Sequence, residues 1–426
     1  MNAERRQPLR GSSRLWPFKA RDDIVTIVDL GAQKVACAIA CLSAPRFGLD
    51  VGGRNIRVLG SSVVRSSGIA EGRIVNLAAT ETSVRRAVAQ AEAQAGLTVE
   101  DVVVTGQFQG LIAEMFEATL GTGQTILIKE DIDAISVAAE NHCASAQRKL
   151  LHIFATSNES ERPDLGDYGR DFAVETDVVA ISMPIQGARQ IAACLSRSLL
   201  VARGYIAGPI ATALAVTNPL ERSGGVLVID MGAQSTGYVL FSRDVPVFID
   251  DIGAGGQQLT EDIAQTFGLR KFEAERLKIR FGSVFDGLQA DVDLPAVNGE
   301  TGEPVSKFSL NHLTRSHASS QLRAVNERLK GAGYSIPMGG AVLAGGGSLL
   351  PGVRELASHL FAAEVRIAKP TILNGLNASN ALSALIGGCL YASRHQSPGE
   401  MPYSPAIASQ DSSYASRISQ WLRASF

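Results

Sequence analysis

Two stretches of this chain repeat one pattern of apolar and polar positions. Residues 26–39 read T-I-V-D-L-G-A-Q-K-V-A-C-A-I and residues 227–240 read L-V-I-D-M-G-A-Q-S-T-G-Y-V-L. In each, an apolar run of β-formers ends in Asp, a Gly-containing turn follows, and a second apolar run begins, which predicts strand, tight turn, strand. The pentapeptide D-x-G-A-Q recurs at Asp29 and Asp230, so two related half-molecules are expected. Between the repeats, Val84, Val88, Ala91 and Ala95 share a helical face over 83–95, stopped by Gly96. Further helices are expected over 131–151, over 190–203 up to Gly204, over 272–281 up to Gly282 and over 319–330, with Leu259, Ile263 and Phe267 on one face before Gly268. Short strands are expected at 102–104, 172–183 and 341–343, a surface loop at 159–170 and a loop-rich stretch at 286–307. Strands and helices alternating around a duplicated motif predict an α/β, two-lobed molecule.

At 426 residues the chain has room for several domains. Forty Lys+Arg against 42 Asp+Glu leave a net charge of −2, so there is no overall pull toward nucleic acid and no nucleic-acid partner is expected. The longest apolar candidate, 199–216, is interrupted by Arg203, Gly204, Gly208 and Pro209, so no helical membrane span is expected. The first 23 residues are basic without the apolar core of a secretory signal, which predicts a cytosolic chain. Its five cysteines contain no C-x-x-C pair, and neither they nor the histidines have metal-ligand spacing, so a nitrogen-and-sulfur metal site is not expected.

The candidate chemistry lies in the turns. Phosphate needs several donors at close range, and a tight Gly turn presents backbone N–H groups with no Cβ in the way. Gly31 and Gly232 supply such turns, and Asp29 and Asp230 facing across a cleft would hold a hydrated Mg²⁺. Lys34 would meet a terminal phosphate as a point charge. The strand at 341–343 runs into Gly345, Gly346, Gly347 and Ser348, where backbone can approach a nucleoside or an α-phosphate closely. One D-x-G alone reads equally well as an ordinary strand-ending turn; two copies plus the G-G-G-S turn favour a nucleotide. The absence of any G-K dipeptide excludes a Walker A loop.

The paired D-x-G turns with the later G-G-G turn resemble the actin, hexokinase and heat-shock chaperone superfamily. Within it, D-M-G-A-Q-S-T, A-E-R-L-K-I-R-F-G (274–282) and V-L-A-G-G-G-S-L-L-P-G (342–352) look most like the FtsA family of bacterial cell-division actin homologues, over about 23–393 and most strongly after Gly225. The resemblance implies an α/β, two-lobed actin-like ATPase fold with duplicated βββαβα cores and a family-specific inserted subdomain. A basic arm would occupy 1–22. The first lobe would comprise 23–111 and 185–222, with 380–393 returning to it, and the insert 112–184. The second lobe would comprise 223–260 and 334–379, with its small subdomain at 261–333, followed by a linker at 394–411.

The resemblance also implies ATP and Mg as cofactors, with Asp29, Gly31, Ala32, Gln33, Lys34, Asp230, Gly232, Ala233, Gln234, Ser235, Gly345, Gly346, Gly347 and Ser348 around the phosphates and Glu275 and Lys278 against ribose and adenine. Glu275 and Lys278 read by themselves as an exposed i,i+3 charge pair. Ala32, Gln33, Ala233 and Gln234 stand where the family often has Gly or Thr, and Gly237 where an acidic residue is common, so slow or absent ATP turnover is expected. By the same resemblance, the protein would lie peripherally on the cytoplasmic face of the inner membrane at the division septum. It would self-associate into filaments, tether the FtsZ ring by capturing the FtsZ carboxy-terminal peptide through 261–333, and help recruit later division proteins. Arg270, Arg280, Arg315 and Arg323, with His317 near a family arginine, are the candidate peptide contacts, equally readable as solvated charges.

Residues 412–426 carry Tyr414, Ile418, Trp421, Leu422 and Phe426 on one helical face, with Arg417 and Arg423 off it and no acidic side chain. This is the profile of a helix lying in a membrane interface, and the FtsA family likewise ends in a linker and a short amphipathic anchor. The other reading of this helix is docking on its own protein or on a partner. Other superfamily roles are a sugar or acid kinase, for which no base or substrate pocket is marked, and a pilus-assembly adaptor such as PilM.

Overall fold

The computed structural model describes residues 23–43, 55–120, 129–156, 174–285, 293–294 and 305–394. The described chain begins with β1 (Asp23–Leu30), β2 (Lys34–Ser43) and β3 (Asn55–Arg65), then a small hairpin of β4 (Ile69–Ala70) and β5 (Arg73–Ile74), helix α1 (Leu77–Ala95) and β6 (Asp101–Gly106). Strand β7 (Ile112–Leu120), α2 (Lys129–Ser145), β8 (Arg148–Thr156) and β9 (Val174–Pro184) build a separate sheet in the order β7-β9-β8. Helix α3 (Ile185–Arg197) and β10 (Val201–Ala207) return to the first sheet, and α4 (Gly208–Val216) and α5 (Pro219–Gly224) lead on to the next one. There follow β11 (Val226–Met231), β12 (Thr236–Ser242), β13 (Val245–Ile252), α6 (Gly256–Phe267) and α7 (Lys271–Phe281). The described chain closes with β14 (Asp293–Leu294), β15 (Val305–Ser306), α8 (Lys307–Gly331), β16 (Ala341–Ala344), α9 (Val353–Phe361), β17 (Val365–Ile367) and α10 (Ser383–Arg394).

The two large sheets run β3-β2-β1-β6-β10 and β13-β12-β11-β16-β17. In each, the first strand in chain order pairs antiparallel with the second and parallel with the fourth. Asp29 lies opposite Ala36 and Asp230 opposite Gly237, the same place in each hairpin. The sequence repeat is therefore also a repeat of topology, and the molecule is an α/β protein of two related halves.

Strand β2 shows why the first sheet needs cover on both faces. Val35 to Leu42 is a continuous buried run with small Ala36, Ala38 and Ala40 at alternate positions. Helices α1 and α10 both pack on this strand. Helix α10 comes close to α4 at Gly387 and to β1 at Gly388 because these residues carry no side chains. A Cβ on Gly387 would lie 1.6 Å from the Ala211 carbonyl oxygen, and one on Gly388 2.7 Å from Ile27. One core joins the first sheet to one face of the second through Val228, Val239 and Phe241, and a second core packs the other face against α8 and α9. Helices α6, α7 and α8 share a third, smaller core around Leu259, Leu277 and Leu310.

Several element boundaries differ from the expected ones. The helix read over 131–151 ends at Ser145, because Gln147 at φ +56° turns the chain and residues from Arg148 onward pair with β9. The helix read over 190–203 ends at Arg197, because Leu199 at φ +60° breaks it and Val201 onward pairs with β6. Helix α1 starts at Leu77, where the Asn76 side chain accepts from the Ala79 N–H at 3.1 Å. Helix α8 starts at Lys307, well before the expected 319, capped by Ser306. The loop read at 159–170 and most of 286–307 lie outside the described residues.

Candidate functional site

The two D-x-G hairpins have the same internal bond: the Gly31 N–H donates to the Lys34 carbonyl at 3.0 Å, and the Gly232 N–H to the Ser235 carbonyl at 3.0 Å. Each hairpin thus brings its aspartate to the mouth of its sheet, beside the parallel strand next to it. The structure brings Asp29, Lys34 and Asp230 into one electrostatic cluster. Burial pushes the Asp29 carboxyl up to about 7, against the pull of Lys34 and with a further upward push from Asp230. Burial also raises Asp230, opposed by hydrogen bonds from Thr212 and Gln107 and by Lys34. Lys34 is lowered by burial, while both carboxylates favour its charged form. Two carboxylates within electrostatic reach of one ammonium make an oxygen-rich, partly desolvated floor.

Asp230 is held from the other half of the molecule. Thr212 Oγ1 in α4 donates to its Oδ2 at 2.8 Å, and Gln107 Nε2, just beyond β6, donates to the same oxygen at 3.1 Å. The backbone of Gly345, at φ +78°, closes the other side. A Cβ there would stand 2.4 Å from Asp230 Oδ1, so the position takes only glycine. The G-G-G-S turn is a 3-10 turn over Gly346–Leu349, in which Ser348 Oγ bonds back to the Gly345 carbonyl at 2.8 Å. Helix α9 begins at Val353.

The glutamines of the turns do not crowd this floor. Gln33 is exposed, and its carbonyl accepts from the Ser66 N–H at 3.0 Å. Gln234 reaches sideways: its Oε1 accepts from the Glu71 N–H at 3.1 Å and its Nε2 donates to Gln257 Oε1 at 2.7 Å. Together with the Gly110 N–H on Asp251 Oδ1 at 3.2 Å, these bonds fasten the halves to each other across the site. Ala32 and Ala233 lie half-buried in their turns and Ser235 is buried.

Glu275 and Lys278 form the expected i,i+3 pair at 2.7 Å on α7, but they are not a free surface pair. Lys278 Nζ also donates to the Gly256 carbonyl at 2.8 Å and to Thr260 Oγ1 at 2.7 Å, and Thr260 in turn donates to Glu275. The pair faces the start of α6, next to the second hairpin, where Gly256 N–H donates to the Gly232 carbonyl. His317 departs from expectation. Only 11% of its side chain is exposed, facing Asp262 at 3.9 Å, so it is not among the surface charges of that subdomain. A hollow of about 310 Å³ between β3 and the segment 375–385 lies elsewhere, with no charged side chain among its lining residues.

Gln107 escaped the sequence reading. Its signal is the repeat itself: V-V-V-T-G at 102–106 occupies in the first sheet the place of V-L-A-G-G at 342–346 in the second. The residues leaving the two parallel strands therefore converge on the same floor. Among the described residues no group of three or more His, Cys, Asp or Glu side chains is placed to hold a metal ion. The oxygens of Asp29 and Asp230 nevertheless suit a hard cation that keeps most of its own water. Tyr414, Arg417, Ile418, Trp421, Leu422, Arg423 and Phe426 lie outside the described residues, as do 1–22 and the linker. Among the described residues no helix is long and apolar enough to cross a membrane.

Fold and floor together define a two-lobed, actin-like protein. A solved PilM–PilN type IV pilus biogenesis complex shares the fold, with a TM-score of 0.59 at 16% identity over 87% of this chain and 99% of that one. The family model for cell division protein FtsA matches residues 227–387. Cell division protein FtsA of Rhizobium meliloti (strain 1021) is 29% identical over 98% of both chains, and that of Agrobacterium fabrum (strain C58 / ATCC 33970) is likewise 29% identical over 98% of both. The chain is thus similar along nearly its whole length to proteins named cell division protein FtsA, and the names of these relatives support a role in division.

Proposed function

We propose that this protein binds ATP between its two halves and works in cell division as a membrane-attached, actin-like adaptor for the FtsZ ring. The observation that carries the nucleotide half of this reading is the floor itself: Asp29 and Asp230, from equivalent hairpins, lie in buried surroundings where each feels the charge of Lys34. Hydrated Mg²⁺ on these carboxylates would offset the charge of the β- and γ-phosphates. Lys34 adds a positive charge beside them, and the hairpin N–H groups and the Gly345–Gly347 backbone allow close approach. Glu275 and Lys278, at the mouth of α6, suit the ribose and base. Ile279, Phe272 and Phe308 are exposed on the small subdomain. There Arg270 stacks over Phe272 at 4.5 Å and Arg280 over Phe281 at 5.5 Å, and Arg323 is exposed. Basic and apolar groups so interleaved suit an acidic peptide with apolar anchors, the chemistry proposed here for the FtsZ tail. The division role itself is supported by the relatives named above, self-association into filaments and recruitment of later division proteins belong to the same reading, and the apolar face of 412–426 is proposed as the lipid anchor at the septal inner membrane.

The direct test is equilibrium titration with a fluorescent ATP analogue in the presence of Mg²⁺. Asp230→Ala is expected to weaken binding by at least about tenfold, the loss of charge-linked hydrogen bonds and cation contact. Unchanged affinity would remove Asp230 from the site, and no measurable binding by the natural protein would end the nucleotide reading.

A further inference from the structure

Gln107 carries more than a structural bond. Its Nε2 donates to Asp230 Oδ2, yet its Oε1 is buried without a hydrogen-bond partner among the described residues. A buried amide oxygen left unpaired is costly, so it is expected to serve an incoming donor. The amide lies directly over Gly237: a Cβ built there would stand 1.9 Å from Gln107 Oε1 and 2.9 Å from its Nε2. Gly237 faces Asp230 in the hairpin register. The missing side chain of one half is thus replaced in space by a carboxamide reaching over from the other half. Its backbone is clamped as well. A Cβ on Gly72 would meet the Gln107 carbonyl at 1.8 Å, and one on Gly208 would meet its nitrogen at 3.1 Å.

We infer that Gln107 is a ligand-contacting residue of the nucleotide site: its Oε1 accepts a hydrogen bond from a water of the hydrated divalent cation that Asp29 and Asp230 hold, while its Nε2 keeps Asp230 aimed at that cation. Gln107 then makes binding of the cation by one half depend on a residue from the other. The inference rests on the nucleotide reading above and concerns only the cation-dependent part of it. No bond is made or broken; the oxygen supplies a lone pair and the water a proton donor, which a carboxamide does without titrating.

The test measures affinity for the fluorescent ATP analogue with Mg²⁺ and with EDTA, for the natural protein and two variants. Gln107→Met keeps the length of the side chain and removes both polar atoms. Gly237→Ala leaves Gln107 in place but drives its amide off the floor. Both are expected to lose most of the gain in affinity that Mg²⁺ confers over EDTA, roughly tenfold. Full Mg²⁺ enhancement in either variant, with circular dichroism melting unchanged, would overturn the inference. If Gln107→Met fails to fold, Gly237→Ala decides alone. A natural protein that binds nucleotide with no Mg²⁺ enhancement would also overturn it while leaving nucleotide binding intact; one that binds none would sink the underlying reading instead.

Discussion

Asp29 is a carboxylic acid poised near neutrality, because its burial outweighs the attraction of Lys34. The unfolded chain releases this proton near pH 4, the ordinary value; the folded chain releases it at about 7. Between those values the native state holds more protons than the unfolded state, so this group lowers stability as pH rises through the window and its cost is complete above it. Asp29→Asn is therefore expected to raise the melting temperature of the nucleotide-free protein more at pH 8 than at pH 5. Equal shifts at the two pH values in thermal denaturation would show that another group titrates. A site that destabilises the empty molecule in this way is arranged for a positive ligand, which would repay the burial of the two carboxylates when it binds.

Among the elements, α4 and α10 depend most on close approach. Both are buried on nearly every side, and contact is possible because Gly387 faces the Ala211 carbonyl without a side chain. Gly387→Ala would force two helix backbones apart and is expected to cost about 1–3 kcal/mol, as overpacking does, read as a drop in the denaturation midpoint; an unchanged midpoint would mean that α10 shifts freely. A second tie fixes α10 to the sheet of β7, β9 and β8. His152 of β8 is buried and its Nε2 accepts from the Ala207 N–H at 3.0 Å, so Nδ1 carries the proton and meets the Tyr391 hydroxyl at 2.8 Å. One neutral imidazole thus joins β8, the end of β10 and α10. The misplaced helix ends at 145 and 197 belong to this scale too. Periodicity over 131–151 and 190–203 is helical in composition, but partner strands β9 and β6 capture the residues after Gln147 and Leu199, and pairing of that kind outweighs local propensity.

At the scale of the whole molecule, the halves are fastened by polar bonds: Gln107 to Asp230, Glu71 to Gln234, and Gly110 to Asp251. They act beside the shared apolar core that joins the two sheets through Val228, Val239 and Phe241. Attachment to a membrane, as proposed, would work by accumulation. Partial burial of a few large side chains makes a weak anchor, and alignment of many copies makes a firm one through effective concentration. Trp421→Glu is accordingly expected to abolish cosedimentation with anionic lipid vesicles while leaving nucleotide affinity as it is; unchanged pelleting would reject the anchor.

Read as a string, the chain declares its duplication, its twin aspartate turns, its glycine-rich turn and the strands that flank those turns, because these depend on neighbours a few residues apart: an apolar run, a D-x-G, a stop glycine. It also declares an amphipathic end. What it could not declare depends on residues far apart in the chain. Gln107 and Asp230 are separated by 123 positions, and no local pattern says that a glutamine after one strand fills the space over a glycine in another sheet. The same holds for the interlobe role of Gln234, which as a local residue reads only as part of a phosphate turn, and for His317, whose charge pattern reads as surface until α8 lays it against Asp262. Local spacing sets the backbone's course; packing of the two sheets against each other decides which polar atoms are left without partners, and those atoms mark the chemistry.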